Sequence, residues 1–331
     1  MFGIGRISKK VTLWTVIGAV PMIALVLLRG NVGTDTPIYI SIIEVYRDNP
    51  IDPPQLFEPL FELVLINISL LPIPSWAVLA LVSLSTTVLF IRGWIRIEPT
   101  LVIFTGVYAQ FFVDMTMNGI RYGLAFALIV FGSRFLLEKK MYFFWTFVLA
   151  ATFVQVSSAL LAVLLYFLHE QRWRTVFYTI ALVGLVGMSF SDRLLIKIVA
   201  YQLEHIPSGL SGLMPLTAIW LTLGVWITDT NARRQATLKI IGLAAISIAF
   251  YLLAQVTYAG LRFLQLTLFL SALTFACHLK GSHIRMRHRT AILLIAIGLF
   301  LGVMKLRHYS ESIDGAQAQF IPYKFYWEDY Q

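Results

Sequence analysis

Apolar runs punctuate the whole chain, each long enough to be helical and separated from the next by a short polar break. They fall at 11–28, 57–71, 76–91, 101–117, 122–137, 141–154, 157–168, 175–188, 213–228, 238–254, 263–279 and 291–304. A hydrocarbon core about 30 Å thick takes roughly 20 residues as a helix. Inside it every backbone polar group must bond within its own segment. The pattern therefore predicts an all-α fold, a polytopic transmembrane helical bundle of about 11–12 hydrophobic segments with short external amphipathic helices. No fixed-period repeat interrupts it, so residues 1–331 read as a single integral membrane domain.

Two stretches depart from simple crossing helices. Residues 141–168 as one helix would span about 42 Å, too long for the core. Gln155, Ser157 and Ser158 interrupt that stretch, which predicts a hairpin turning at the external face. The run at 57–71 is short and carries Glu58, Pro59, Glu62 and Asn67, which predicts a re-entrant or half-membrane helix.

Basic residues orient the chain. One phase of the alternation holds Lys139, Lys140, Arg172, Arg174, Arg233, Arg234, Lys280, Arg285, Arg287 and Arg289, against Arg193, Lys197 and Arg262 in the other. Lys and Arg accumulate in cytoplasmic loops, so the first set faces the cytoplasm. Arg6, Lys9 and Lys10 before the run at 11–28 make that first helix resemble a signal-anchor. With a cytoplasmic start, the segment at 57–71 fails to cross and eleven crossings remain. The amphipathic segment 29–56, the loop 189–212 and the tail 305–331 then lie outside.

Composition agrees with this architecture. Hydrophobic residues make up 58% of the chain and charged residues 13%, where a soluble domain has about 25% charged. Mean hydropathy is +0.78. The net charge of +9 follows from the loop bias, and it does not argue for nucleic acid as a partner. The lone Cys277 excludes an intrachain disulfide and a cysteine metal cluster. There is no phosphate-cradling Gly-Lys-Ser/Thr loop, no His-Glu-x-x-His and no Gly-x-Ser-x-Gly. No cofactor and no metal site are expected.

Charge near the bilayer is costly and marks candidate chemistry. Asp35 and Thr36 precede Pro37, a combination that suits either a helix N-cap or a carboxylate held in a turn. Glu58 and Glu62 lie one turn apart on one helix face, as either a solvated interfacial face or a site. Arg121 sits at a helix end and Arg262 in an otherwise uncharged turn, both predicted to face outward, where the positive-inside rule disfavours them. Each either snorkels to the headgroups or serves a function. Two guanidiniums suit a diphosphate, since each offers a planar fork of donors with a permanent charge. His205 is either a loop histidine or an acid–base group.

The order of these features resembles the EpsG-like, Wzy-type polymerases of bacterial exopolysaccharide and O-antigen synthesis. The likeness is carried by Gly33-x-Asp35 with Tyr39, Phe57-Glu58-Pro59, Asn118-x-x-Arg121 with Ala125, and Lys139-Lys140. It continues through the break at Gln155 and Ser158, Lys197 through Tyr201, Arg262, and Pro322-Tyr323. Relatives commonly carry histidine where this chain has Gln155, which cannot shuttle a proton and is read as a hydrogen-bonding contact to glycan.

The resemblance implies transfer of a lipid-diphosphate-linked glycan onto a lipid-linked repeat unit. The enzyme would lie in the bacterial cytoplasmic membrane with its site facing the periplasm or cell exterior. It implies Asp35 or Glu58 as the catalytic carboxylate and Arg121 with Arg262 on the diphosphate. Tyr39, Gln155, Tyr323 and Trp327 would meet the glycan. Partners would be a polyprenyl diphosphate glycan, the bilayer and a chain-length regulator. The tail aromatics also fit an interfacial belt. A transporter or flippase of lipid-linked oligosaccharide, or a glycan ligase, remains the alternative.

Overall fold

Among the described residues, every regular element of any length is helical, as the hydrophobic pattern requires. The computed structural model describes residues 20, 23–33, 35–98, 102–103, 111, 114–170, 212–229, 236–310 and 323–328. The runs at 101–117 and 175–188 therefore lie partly or wholly outside the described residues, as does most of the loop 189–212, with His205. Among the described residues, five helices are long and apolar enough to cross a membrane. The chain divides into two compact units, one of residues 1–158 and 298–331, the other of residues 159–297.

The first unit begins with α1 (Thr36–Asp48), whose buried residues Thr36, Tyr39, Ile43 and Tyr46 recur at helical spacing on one face. α2 (Pro59–Ser69) has eleven residues and so reaches only about 16 Å, half of a bilayer core. This is the short helix expected at 57–71. α3 (Ser75–Ile97) and α4 (Ile120–Leu137) are long enough to span and pack along each other, and α5 (Met141–Val154) packs along α4. Gly93 permits the α3–α4 approach, because a Cβ there would lie 2.8 Å from the Phe131 amide nitrogen. Between α3 and α4 a π-helical turn occupies Asp114–Asn118.

The link between α2 and α3 is held by Arg47, in the last turn of α1. Its Nε donates to the Ser69 carbonyl at 2.8 Å and its Nη1 to Ser75 Oγ at 3.0 Å, while Nη2 donates to the Ile73 carbonyl. Three bonds from one guanidinium fix the turn that reverses the chain. Arg47→Met is expected to cost about 2–3 kcal/mol, the range for a charged hydrogen bond lost at a half-buried site. The thermal midpoint of detergent-purified protein measures this, and an unchanged midpoint would show that the bonds contribute no net stability.

α5 ends at Gln155, whose backbone turns extended, and α6 (Ser158–Glu170) follows. The helix thus breaks at the polar residues expected to interrupt it. In the second unit α7 (Leu213–Thr228), α8 (Thr237–Ala254) and α9 (Tyr258–Gly281) pack together. Trp226 stacks on Phe275 with ring centroids 4.6 Å apart. Of the spanning window of α9, 78% is buried inside the protein, against 28% for α8. An apolar helix with most of its surface uncovered is matched to lipid.

The last long helix, α10 (His288–Ser310), runs across the boundary between the two units. Its N-terminus is held by Asp229, fully buried, whose Oδ2 accepts from the Arg287 amide at 3.1 Å and the Thr290 hydroxyl at 2.9 Å. A carboxylate there satisfies orphan donors and complements the helix dipole.

Candidate functional site

Three segments far apart in sequence converge in the first unit. Asp35 ends the loop before α1 and is half-buried. It occupies the N-cap position expected of it, with Pro37 in the first turn, but its side chain makes no capping hydrogen bond to the helix. One turn on, Tyr39 is buried at 4% exposure. Glu58 occupies the extended residue before Pro59 and is 3% exposed. Arg121 is the second residue of α4, at the helix end expected from its sequence position.

Their side chains meet. Arg121 Nη1 lies 2.7 Å from Glu58 Oε2, and Arg121 Nε donates to the Tyr39 hydroxyl oxygen at 3.3 Å. The guanidinium also lies 4.5 Å over the Phe57 ring, a cation–π contact strengthened by burial. Tyr39, Phe57 and Phe61 pack ring against ring with centroids 5.4–6.2 Å apart. The Tyr39 ring is therefore enclosed by protein. Burial raises the pKa of that phenol; Arg121 opposes the shift, while the charges of Asp35 and Glu58 add to it. It stays protonated at neutral pH, and with Arg121 bonded to its oxygen its own proton is available to an acceptor.

Glu62 does not form a solvated face with Glu58, since it is buried at 7% exposure. Its Oε1 accepts from the Leu56 amide at 2.6 Å, the Phe57 amide at 3.4 Å and the Tyr46 hydroxyl at 3.2 Å. One carboxylate thereby ties α1 to the loop carrying Phe57 and Glu58. Burial raises the Tyr46 pKa and Glu62 adds to the effect, so this phenol also remains a donor.

The π-helical turn packs nearby in the same unit. A π turn disrupts the regular ladder and frees carbonyls for other partners. Thr116 O accepts from Arg29 Nη1 at 2.6 Å and from Ser83 Oγ at 2.8 Å, and Met117 O accepts from Thr36 Oγ1 at 3.4 Å. Gly123 allows the turn to lie on α4, because a Cβ there would fall 1.9 Å from the Met115 carbonyl oxygen. The turn thus links the start of α1 to α3 and α4.

The remaining candidates stand elsewhere. Arg262 lies within α9, in the second unit, 5.3 Å over the Tyr258 ring. That helix starts at Tyr258, capped by the Thr257 hydroxyl, which accepts from the Ala259 amide at 3.2 Å. Arg262 is consequently helical and does not sit in the turn expected from sequence. Gln155 Nε2 donates to Ser157 Oγ at 3.3 Å across the helix break.

The tail segment at 323–328 docks on the end of the first apolar run and the residues just after it. The Gly30 amide donates to Lys324 O at 2.9 Å and the Tyr326 amide to Leu28 O at 3.0 Å. Tyr323 donates its hydroxyl to Leu25 O, and Tyr326 stacks on Trp76 with centroids 4.0 Å apart. Trp327 stacks on Phe325 and is 44% exposed, so it presents an open ring edge to its surroundings.

The sequence reading passed over Arg29. It ends an apolar run, where an Arg ordinarily reaches for headgroups, yet here it is 3% exposed. Only its burial by distant segments distinguishes it, and no local pattern signals that.

Residues 12–325 match the model of a family described as the EpsG family. No curated protein and no solved structure matches the chain.

Proposed function

The chain belongs to the EpsG family, and we propose that it is a membrane glycosyltransferase. It would polymerise lipid-diphosphate-linked oligosaccharide repeat units at the outer face of the bacterial cytoplasmic membrane. The observation that carries this reading is the buried Glu58–Arg121 pair, with the Tyr39 hydroxyl on the same guanidinium and Asp35 one helical turn away. Placing a permanent cation beside a less buried carboxylate is what displacement of a diphosphate by a hydroxyl demands.

In the proposed reaction the acceptor oxygen forms a bond to the donor's anomeric carbon while the bond from that carbon to the diphosphate oxygen breaks. The electron pair leaves with the lipid diphosphate, where Arg121 stabilises the growing negative charge. Asp35 takes the proton from the acceptor hydroxyl. Glu58 is the positioning partner of Arg121, because a carboxylate already paired with a guanidinium is a weak base. The Tyr39 hydroxyl donates to a sugar or phosphate oxygen. Arg262 keeps its proposed diphosphate role on the positive-inside argument alone.

The lipid-linked glycans of a strain lacking this protein test the reading. Single repeat units accumulating on carrier lipid outside the cytoplasm are the expected result. Full-length chains left on carrier lipid would point to a ligase, and retention of the repeat unit in the cytoplasm to a transporter. Either outcome would overturn the polymerase assignment.

A further inference from the structure

Among the described residues, Arg29 is a buried cation without a counter-charge. Its Nη1 donates to Thr116 O at 2.6 Å, but Nε and Nη2 are buried with no hydrogen-bond partner. The charged groups nearest in effect are the phenols of Tyr323 and Tyr39, both neutral at physiological pH. Burial lowers the guanidinium's pKa only to about 10, so it remains positive. Glu58 is already paired with Arg121. An unpaired buried charge costs several kcal/mol, and an apolar core residue would avoid that cost. Pinning the π turn does not require it either, because Ser83 Oγ already donates to the same Thr116 carbonyl at 2.8 Å.

We propose that Arg29 is a phosphate-binding residue, whose free Nε and Nη2 take two oxygens of the substrate diphosphate beside Tyr39. The inference rests on the polymerase reading for the identity of that diphosphate, but the anion chemistry follows from the residues alone. Nε and Nη2 form one edge of the guanidinium fork, the edge that binds phosphate in a bidentate manner. Arg121 shares its charge with Glu58, and among the described residues of this site Arg29 adds a second cation, with two N–H groups that no partner takes. The strap at 323–326 runs beside Arg29 through the Gly30–Lys324 and Tyr326–Leu28 backbone bonds.

Thermal unfolding of detergent-purified protein separates this role from a structural one. Inorganic diphosphate and a short-chain polyprenyl diphosphate serve as probes, with phosphatidylglycerol as the control for a bilayer headgroup. Wild-type protein is expected to gain stability with a diphosphate probe. Arg29→Met should weaken that binding roughly 10- to 100-fold, the loss expected for charged hydrogen bonds. Without ligand the same variant should unfold at an unchanged or higher temperature, because it removes an uncompensated charge. Arg29→Lys keeps the charge without the fork and should bind with intermediate affinity.

A response to the lipid diphosphate alone identifies the carrier lipid as the source, and a response to both probes shows that the diphosphate group suffices. Three results would overturn the inference: no response of the wild type to either diphosphate, a response to phosphatidylglycerol only, or undiminished binding by Arg29→Met. These outcomes are independent of chain growth. If diphosphate binds through Arg29 while the deletion strain still makes polymer, the polymerase reading fails and the anion site stands.

Discussion

Arg121→Ala is expected to abolish chain growth and to lower stability by about 3 kcal/mol. The variant leaves the Glu58 carboxylate at 3% exposure without its cation, and breaking a buried pair costs roughly 3–5 kcal/mol. The lower end applies because the Arg121 side chain is 25% exposed and solvent screens part of the interaction. Adding Glu58→Gln to Arg121→Ala removes the stranded charge and should recover most of the lost stability. It should recover none of the activity, because the cation facing the leaving group is still missing. A lysine at 121 supplies a point charge without the fork that reaches both Glu58 and Tyr39, so it should rescue only partly. Normal chain lengths from Arg121→Ala, in protein present at normal membrane abundance, would remove Arg121 from the site.

Asp35→Asn is expected to slow chain growth by about 100- to 10,000-fold, the range for loss of a general base, at unchanged thermal stability. Asparagine caps helices about as well as aspartate. Because the Asp35 side chain does not cap α1, a stability effect is not anticipated. Glu58→Gln is the comparison, since it keeps shape and removes charge at the positioning carboxylate. It should reduce activity less than Asp35→Asn does and change the affinity for the diphosphate donor. Full activity of Asp35→Asn would return the base to Glu58, and full activity of both variants would leave the mechanism without a carboxylate.

Much of the helical architecture was legible because hydrophobic length is a strong local signal. The runs read at 213–228 and 141–154 coincide with α7 and α5. The polar interruption at Gln155 is where the helix breaks. The half-length helix at Pro59–Ser69 followed from its acidic residues and proline. Boundaries were less legible where charge sits inside a helix. Arg262 looked like a loop residue, yet the Thr257 cap starts α9 before it.

The site was legible in its members and not in its pairing. Asp35, Glu58 and Arg121 were each singled out by the cost of charge near a membrane. That Arg121 bonds Glu58 and Tyr39 depends on how α1, α2 and α4 pack, which no spacing along the chain encodes. The π turn was hidden within an apolar run that looked like an ordinary crossing helix. Its carbonyls are satisfied by the side chains of Arg29, Thr36 and Ser83, all supplied from other elements. Arg29 stayed unnoticed for the same reason, since its burial comes from the tail and the π turn.

The most direct test of the account is reconstitution of the purified protein with a lipid-diphosphate-linked repeat unit as the only substrate. The account predicts a ladder of lipid-linked glycans spaced by one repeat unit, with one lipid diphosphate released for each new linkage. It also predicts that the ladder disappears in Arg121→Ala. A repeat unit that crosses the membrane without being extended, or that stays unchanged in the presence of active wild-type protein, would contradict it.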